Sequence, residues 1–338
     1  MIVHNELESF KPSETARPRV LTSGVFDGLH EAHCRLVRRV VDLAHAPSGA
    51  RDSSDARAPS GARAPSGGVA MVLTFPNHPL SVLAPPYLPK RLISPLRKRD
   101  LLEKMGVDVL LTPEFTSDFA AIRPEEFAET ILVGKLAADH VVVGFDFRFG
   151  RSGEGDARLL AEMGRRYGFE VEILPAVYHD EWPISSTRIR ELIAEGRMRQ
   201  VSDMLGRPYD LSGTVVRGYG RGAELGFPTA NLRFDPDYAV PPSGVYAVFA
   251  ATAQRRYRGM MNIGSSPTFA GAEYRPEVYL FDYEGGDLYG ETLRVHFVDR
   301  LREERKFPSS RALQERLRVD ERMARAILEA ESGRLNGA

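Results

Sequence analysis

Two histidines three residues apart, His30 and His33, are the first side chains along the chain that could do chemistry. They follow an apolar run at 20–23 and precede a helical pattern at 34–43, so they lie where a strand passes into a helix. That spacing places both rings on one face of the first helical turn, where free backbone N–H groups favour a phosphate. An isolated pair of this kind is either a helix cap with a surface histidine or an anion site. Its position after a strand favours the anion site, in which a charged imidazole would stabilise a transferring nucleotidyl group.

Other polar side chains also follow predicted strands. Asn77 either contacts a ligand or forms a turn before the next proline, and Asp146 either contacts a ligand or caps its own loop. Ser186 and Thr187 begin a helical pattern that also carries Arg190, which is either a solvated helix charge or a phosphate contact. Hydroxyl groups beside an arginine at a helix start favour the phosphate contact.

A glycine-rich stretch at 218–231 is the densest candidate site in the second half of the chain. Thr229 and Asn231 offer neutral oxygens two residues apart, which suits a phosphate-bound magnesium that keeps most of its water. The alternative is a glycine-rich hairpin capped by Asn231. Glu277 opens an apolar strand, where it either faces solvent or is held as a catalytic base. The remaining candidate ligand contacts of this stretch are Gly218, Gly220, Gly222, Gly226 and Pro228.

The first two hundred residues alternate short apolar runs with helical patterns, which predicts a doubly wound parallel α/β domain. Near-continuous apolar runs are typical of strands buried on both faces of such a sheet, and ligands bind beyond the carboxyl ends of the strands. The predicted strands are 20–23, 69–75, 107–112, 140–144 and 171–177, and the predicted helices are 34–43, 97–105, 124–136 and 156–167.

Beyond 205–209 the sequence changes to short β-type runs separated by Gly, Pro, Asn and Asp, a pattern typical of an antiparallel barrel or sandwich. A final amphipathic helix is predicted at 309–328. The length of 338 residues also favours two domains, which we place at 1–204 and 205–338. The predicted strands of the second domain are 214–217, 244–249, 257–261, 277–281 and 293–298.

Composition narrows the class of protein. A formal net charge of -1 argues against a nucleic-acid binder that relies on bulk positive charge. Cys34 is the single cysteine, which rules out an internal disulfide or a cysteine metal cage. No apolar run is long enough to span a membrane, and we expect a cytoplasmic enzyme. Repeats of Ala-Pro-Ser-Gly at 46–68 predict a disordered surface insert.

Nine stretches in the same order resemble the bacterial bifunctional riboflavin kinase/FAD synthetase family, from about residue 18 to 328. The first part resembles its adenylyltransferase module, of the nucleotidylyltransferase superfamily, and the second resembles its riboflavin kinase module, a small β-barrel. The first four stretches are G-V-F-D-G-L-H, T-F-P-N-H-P, V-G-F-D-F-R-F-G and I-S-S-T-R-I-R. The other five are L-G-R-P-Y, L-G-F-P-T-A-N, N-I-G-S-S-P-T, D-L-Y-G and L-R-E-E-R-K-F.

For the second module, the resemblance implies phosphorylation of riboflavin by ATP to give FMN. Glu277 would act as base on the 5′-hydroxyl of the ribityl chain, with Mg²⁺ held near Thr229 and Asn231. For the first module, it implies transfer of AMP from a second ATP to FMN, which gives FAD and pyrophosphate.

The FMN phosphate is already ionised near neutral pH, so the adenylyltransferase site needs positioning and charge stabilisation rather than a protein base. The resemblance assigns those tasks to His30, His33, Arg190 and the helix start at Ser186 and Thr187. The other substrate contacts of this module would come from Gly24, Phe26, Asp27, Asn77 and Asp146. Ala32 stands where the family usually has glycine.

Two alternatives to the bifunctional enzyme stay open on sequence. One is a riboflavin kinase with a weakened or inactive adenylyltransferase module. The other is a flavin- or nucleotide-binding protein without catalysis. The substrates expected on the first hypothesis are riboflavin, FMN and ATP, with no nucleic-acid or membrane partner.

Overall fold

Two compact units make up the chain in a computed structural model, which describes residues 1–46, 67–217, 226–268 and 271–336. The first unit contains Met1–Pro89 and Ser94–Ile184, and the second contains Lys90–Ile93 and Ser185–Ala338. Most of the predicted insert, together with Gly218, Gly220 and Gly222, lies outside the described residues. The domain boundary between 204 and 205 stays a prediction.

The first unit is built on a parallel sheet with the strand order β1-β4-β3-β2-β5-β8. The chain runs from β2 outward through β3 to β4 and returns to β5 on the other side of β2, so the sheet is doubly wound, as predicted. The strands are β1 (Ile2–His4), β2 (Arg19–Ser23), β3 (Val69–Leu73), β4 (Val109–Leu111), β5 (His140–Gly144), β6 (Arg148–Phe149), β7 (Gly155–Asp156), β8 (Glu170–Leu174), β9 (Tyr178–His179) and β10 (Trp182–Pro183). The pairs β6–β7 and β9–β10 form separate two-stranded ribbons.

Helices cover both faces of this sheet. They are α1 (Glu31–His45), α2 (Leu80–Leu83), α3 (Pro95–Lys104), α4 (Ser117–Ala121), α5 (Pro124–Glu126) and α6 (Ala157–Tyr167), with single 3-10 turns at Leu7–Ser9, Pro12–Glu14, Pro85–Tyr87 and Arg151–Gly153. Beyond α5 the predicted helix at 124–136 continues with π-helical bonding as Phe127–Lys135. Helix α1 begins three residues earlier than predicted, so that His33 lies inside it and His30 is its N-cap.

Alternate residues of the central strands enter two different cores, because successive side chains of a strand point to opposite faces. Val20 and Val142 pack against Val40 of α1 on one face. Leu21 and Val141 belong to the larger core on the other face, which includes the π-helical segment and α6. Burial on both faces explains why these strands appear in the sequence as unbroken apolar runs.

The second unit contains a closed antiparallel barrel with the order β11-β12-β15-β14-β13-β16, which confirms a barrel rather than a sandwich. Its strands are β11 (Tyr209–Val216), β12 (Thr229–Phe234), β13 (Gly244–Ala251), β14 (Arg256–Thr268), β15 (Gly271–Leu280) and β16 (Thr292–Arg302). The helices of this unit are α7 (Ser186–Ala194), α8 (Met198–Leu205) and α9 (Ser310–Asn336). Helix α9 contacts β13, β14 and β16, and Ala324 and Leu328 are fully buried against the barrel.

A buried ion pair ties α9 to β16. The carboxylate of Asp320 is fully buried and accepts a hydrogen bond of 2.8 Å from Arg302 Nε. Its other oxygen lies 2.8 Å from Arg316 Nε. The carboxylate therefore compensates the charges of Arg302 on β16 and Arg316 on α9.

Replacement of Asp320 by alanine is expected to lower the free energy of unfolding by about 3 kcal/mol, since it leaves two poorly solvated arginines without their carboxylate partner. Urea unfolding followed by circular dichroism measures this change. Glu315→Ala is the matched control, because it removes the exposed pair with Arg311 on the same helix and should cost less than about 0.5 kcal/mol. Equal losses in the two variants would contradict the expectation.

Candidate active sites

His30 and His33 lie together at the junction of β2 and α1. The side chain of His30 caps the helix by accepting a hydrogen bond of 3.4 Å from the backbone N–H of His33. The two rings stack with centroids 3.6 Å apart, and Phe26 contacts His33 edge-on at 5.2 Å. His30 is therefore the N-cap of α1, as one of the two interpretations of the sequence expected, and the anion site stays a prediction.

The turn that leads into the helix is strained. Phe26 and Leu29 have φ angles of 50° and 43°, in the left-handed region that non-glycine residues rarely adopt. Asp27 is buried in the same turn. At Gly24 a side chain would meet the Phe26 ring, since an added Cβ would lie 3.3 Å from it. Strain of this kind is concentrated where a site is preorganised for a ligand.

His33 is adapted to a neutral state in the free protein. Burial, followed by the charges of His30 and Lys98, holds the pKa of His33 well below its usual range. Its Nδ1 atom is buried without a hydrogen-bond partner among the described residues. A buried nitrogen of this kind is suited to a ligand that supplies a partner.

Lys98 is a residue of this site that the sequence did not indicate. It is buried on α3, and its ammonium donates to the carbonyl oxygen of Val25 (2.7 Å) and to Thr74 Oγ1 (3.3 Å). Thr74 also donates to Val25 O at 3.1 Å. The lysine therefore holds the first residue of the strained turn and places a positive charge beside His33. In the sequence Lys98 is one of several Lys and Arg residues in a predicted helix, and nothing there indicates that it is buried.

Asp146 follows β5, the neighbour of β2 at the point where the strand order reverses. Ligands of doubly wound sheets bind at this crevice. Asp146 is exposed, and its Oδ1 folds back over Gly144, so that a Cβ added there would lie 3.1 Å from it. Of the neighbouring aromatic residues, Phe147 and Phe149 pack into the core, whereas Phe145 is exposed.

Asn77 follows β3 and has a structural contact. Its amide donates to the carbonyl oxygen of Phe115 and accepts from the same residue's N–H, both at 2.9 Å. It also lines a cavity of about 830 Å³ at the carboxyl ends of β1, β3 and β4. The structure thus places Asn77 at the expected edge of the sheet, with both amide groups engaged by the loop after β4.

Ser186, Thr187 and Arg190 lie together on the first turns of α7, which groups with the second unit. Ser185 is the N-cap and accepts a hydrogen bond of 3.2 Å from Arg188 N–H. Ser186 is half-buried, Thr187 is exposed, and Arg190 Nε donates to the carbonyl oxygen of Lys90 at 2.7 Å. The predicted hydroxyl-capped helix start is therefore present.

The barrel brings Thr229, Asn231 and Glu277 onto one surface. Asn231 of β12 and Glu277 of β15 are register partners in adjacent antiparallel strands. Thr229 lies two residues before Asn231, so it shares the same face, and its Oγ1 donates to Glu277 Oε2 at 3.3 Å. Asn262 of β14 is the register partner of Glu277 on the other side and adds a second amide that the sequence did not single out.

Beside this group lies a cavity of about 420 Å³, which is within the range of small-molecule sites. Its wall contains Pro228, Thr229 and Tyr279 together with the loop after β15. Burial raises the pKa of Tyr279, so its hydroxyl is a neutral donor near pH 7. Gly226 has a φ of 79° at the entrance to β12, a conformation that favours glycine.

The oxygen donors of this surface fit a hard cation. Mg²⁺ takes oxygen ligands, keeps several waters and is shared with substrate phosphates, so a hydroxyl, an amide and a nearby carboxylate suffice. No group of three or more His, Cys, Asp or Glu side chains in the described part of the chain has the geometry of a metal cage.

No helix among the described residues is both long and apolar enough to cross a bilayer.

A strand-end site in a doubly wound sheet and a second site on a closed barrel define a two-module enzyme that handles nucleotides. A family model described as riboflavin kinase matches residues 205–328, and one described as FAD synthetase matches residues 58–188. A bifunctional riboflavin kinase/FMN adenylyltransferase from Listeria monocytogenes is 34% identical over 91% of this chain and 92% of its own. The protein of the same name from Escherichia coli K12 is 34% identical over 90% of this chain and 91% of its own. The chain belongs to the bifunctional riboflavin kinase/FMN adenylyltransferase family, which confirms the resemblance found in the sequence.

A solved structure has the same fold along almost the whole chain. It is titled a macrolide-efflux protein from Streptococcus pneumoniae, with a TM-score of 0.81 and 32% identity over 96% of this chain and 98% of its own.

Proposed function

We propose that the chain phosphorylates riboflavin to FMN at the barrel and adenylylates FMN to FAD at the parallel sheet, with ATP as co-substrate in both reactions. The observation that carries the proposal is the meeting of Thr229, Asn231 and Glu277 across two barrel strands, in a chain matched along both modules by bifunctional relatives. A protein that only bound flavin would not need the Glu277 carboxylate beside Thr229 and Asn231, whose oxygen atoms are suited to bind Mg²⁺.

In the kinase reaction, the Glu277 carboxylate accepts the proton of the riboflavin 5′-hydroxyl as that oxygen attacks the γ-phosphorus of ATP. The bond from the γ-phosphorus to the bridging oxygen breaks, which leaves FMN and ADP. Thr229 and Asn231 would hold Mg²⁺, which neutralises charge on the phosphates when bound. The hydrogen bond from Thr229 orients the carboxylate in the free protein. Pro228 and Gly226, with the glycines at 218, 220 and 222, would contact the substrates from the segment before β12.

In the adenylyltransferase reaction, a phosphate oxygen of FMN attacks the α-phosphorus of ATP and pyrophosphate leaves. His30 and His33 stabilise the charge that develops on the phosphates, and Lys98 adds a fixed positive charge nearby. A bound polyphosphate favours the protonated imidazole, which opposes the effect of burial, His30 and Lys98 on the pKa of His33 in the free protein. Gly24, Phe26, Asp27, Asn77 and Asp146 form the substrate surface, and Ser186, Thr187 and Arg190 supply further phosphate contacts. The predicted cytoplasmic location and the expected absence of nucleic-acid and membrane partners belong to this same proposal.

Incubation of the chain with riboflavin, ATP and Mg²⁺ is expected to yield FAD as the end product, with FMN as a transient intermediate. Chromatography of the flavins over time measures both steps. A reaction that stops at FMN would support the single-module alternative, and a mixture in which riboflavin is only bound would support the non-catalytic alternative. Omission of Mg²⁺ in the presence of a chelator tests the metal requirement of each step.

A further inference from the structure

The loop between β15 and β16, residues 281–291, forms one wall of the 420 Å³ cavity beside Thr229. We call it the cavity loop. Its far end is anchored to β11, since Gly290 N–H donates to Val215 O at 3.0 Å and Val215 N–H donates to Glu291 O at 2.9 Å. Inside the loop, Tyr283 Oη donates to Gly286 O at 2.9 Å. The far half of the wall is thus held by backbone bonds.

The near end of the cavity loop is held by a side chain of α9. Arg325 Nη1 and Nη2 donate to the two carboxylate oxygens of Asp282, each at 2.9 Å. Asp282 has a φ of 56°, so the chain turns sharply as it leaves β15. Left-handed backbone is unfavourable for a residue other than glycine, and the paired contact with the arginine offsets that cost.

Arg325 is itself fixed before it reaches the loop. Its Nε donates to Glu321 Oε1 at 3.0 Å, one helical turn earlier on α9. Its guanidinium lies 4.4 Å from the centroid of the buried Phe281 ring. The contact with Asp282 raises the pKa of Arg325 and lowers the pKa of Asp282, so both groups are charged.

An isolated surface ion pair contributes little, and the Asp282 carboxylate is 68% exposed. This pair differs from the isolated case because it is bidentate, braced by a second carboxylate and stacked on an aromatic ring. These three features reduce the entropy lost when the side chains meet. The pair is therefore able to hold a backbone conformation that the loop sequence alone does not favour.

We propose that Arg325 is a positioning residue of the kinase site, which holds the cavity loop through Asp282 in the conformation that binds the nucleotide of ATP. The inference rests on the proposed function, because Thr229, the candidate magnesium contact, lines the same cavity as Asp282. A phosphate-bound cation at Thr229 would place the nucleotide in this cavity. Loss of the contact between Arg325 and Asp282 leaves the catalytic groups of β12 and β15 in place. The loop must then become ordered when ATP binds, and this lowers the affinity for ATP.

Arg325→Met tests the proposal, since methionine keeps an apolar stem over Phe281 and removes both donors. The KM for ATP in riboflavin phosphorylation is expected to rise roughly 5- to 30-fold, the factor that corresponds to 1–2 kcal/mol. The kcat at saturating ATP should stay within about twofold of the wild-type value, because the free energy of activation of the chemical step is little changed. Arg325→Lys, which keeps the charge but has a single ammonium, should fall between the wild type and Arg325→Met.

Three comparisons separate positioning from a loss of folded protein. Conversion of supplied FMN to FAD by the same preparations should be unchanged, because it uses the other module. Arg311→Met removes a surface arginine from the same helix and should leave the KM for ATP unchanged. Asp282→Asn should raise that KM, and adding it to Arg325→Met should raise it no further, since both changes break one contact.

A KM for ATP equal to that of the wild type in Arg325→Met would overturn the inference. So would a fall in kcat with unchanged KM, because that result indicates lost folded protein rather than a mobile wall. If the wild type fails to phosphorylate riboflavin, the proposed function fails instead, so the two failures are distinguishable.

Discussion

Replacement of Glu277 by glutamine is expected to slow the phosphorylation of riboflavin by about 10²- to 10⁴-fold, the usual contribution of a general base. Glutamine preserves the size of the side chain and can still accept a hydrogen bond from Thr229, whose Oγ1 lies 3.3 Å from Glu277 Oε2. What it loses is the ability to take the proton of the attacking hydroxyl. The loss should appear in kcat, with the KM for riboflavin and for ATP changed little.

The second reaction of the chain provides an internal reference for this experiment. FAD formation from supplied FMN should proceed at the wild-type rate in Glu277→Gln, which shows that the protein is folded. Glu284→Gln is the matched control, because Glu284 is an exposed carboxylate on the wall of the 420 Å³ cavity that Thr229 also lines. If Glu277→Gln phosphorylated riboflavin as fast as Glu284→Gln, the assignment of the base would be wrong.

The sheet and barrel could be predicted because burial leaves a strong signal in the sequence. All five runs predicted as strands in the first unit form strands of the sheet, and the four that correspond to the inner strands β2, β3, β4 and β5 are apolar because both faces of the sheet are covered. The strands that escaped prediction lack this signal. β1 has three residues at the edge of the sheet, and β12, with the sequence T-A-N-L-R-F, alternates polar and apolar residues instead of forming a continuous apolar run.

The kinase group shows what spacing alone could not supply. Thr229 and Asn231 were recognisable as neighbours, since two residues of a strand share a face. Glu277 lies 46 positions after Asn231, and only the register of β12 with β15 brings them together. Register depends on which strands pair in the closed barrel, a tertiary property that no local pattern contains.

Lys98 and Arg325 explain a different kind of omission. Both are basic residues on amphipathic helices, where most such side chains are solvated. Lys98 is distinguished by its burial and by the carbonyl of Val25, and Arg325 by the loop carboxylate of Asp282. These partners come from distant parts of the chain, so the functional value of each residue emerges only from packing.

Replacement of His33 by alanine is expected to slow the conversion of FMN to FAD by about 10²- to 10³-fold, the range for removal of a group that stabilises charge in the transition state. His33 suits this test better than His30, because His30 is the N-cap of α1 and its loss would also weaken the helix. In the free protein burial, His30 and Lys98 hold the pKa of His33 below its usual range, and on the proposed function bound phosphates would favour the charged imidazole. The loss should therefore fall mainly on kcat.

His140→Gln is the matched control for His33→Ala. His140 is the first residue of β5, so it lies at the amino ends of the parallel strands, opposite to the edge that carries His33. Its Nδ1 atom lies 3.2 Å from Glu170 Oε2. Riboflavin phosphorylation by both variants reports that the barrel is intact. FAD formation at the wild-type rate in His33→Ala would contradict the catalytic role proposed for His33. A loss in His33→Ala but not in His140→Gln would tie the chemistry to the junction of β2 and α1, where the stacked imidazoles of His30 and His33 lie at the start of the helix.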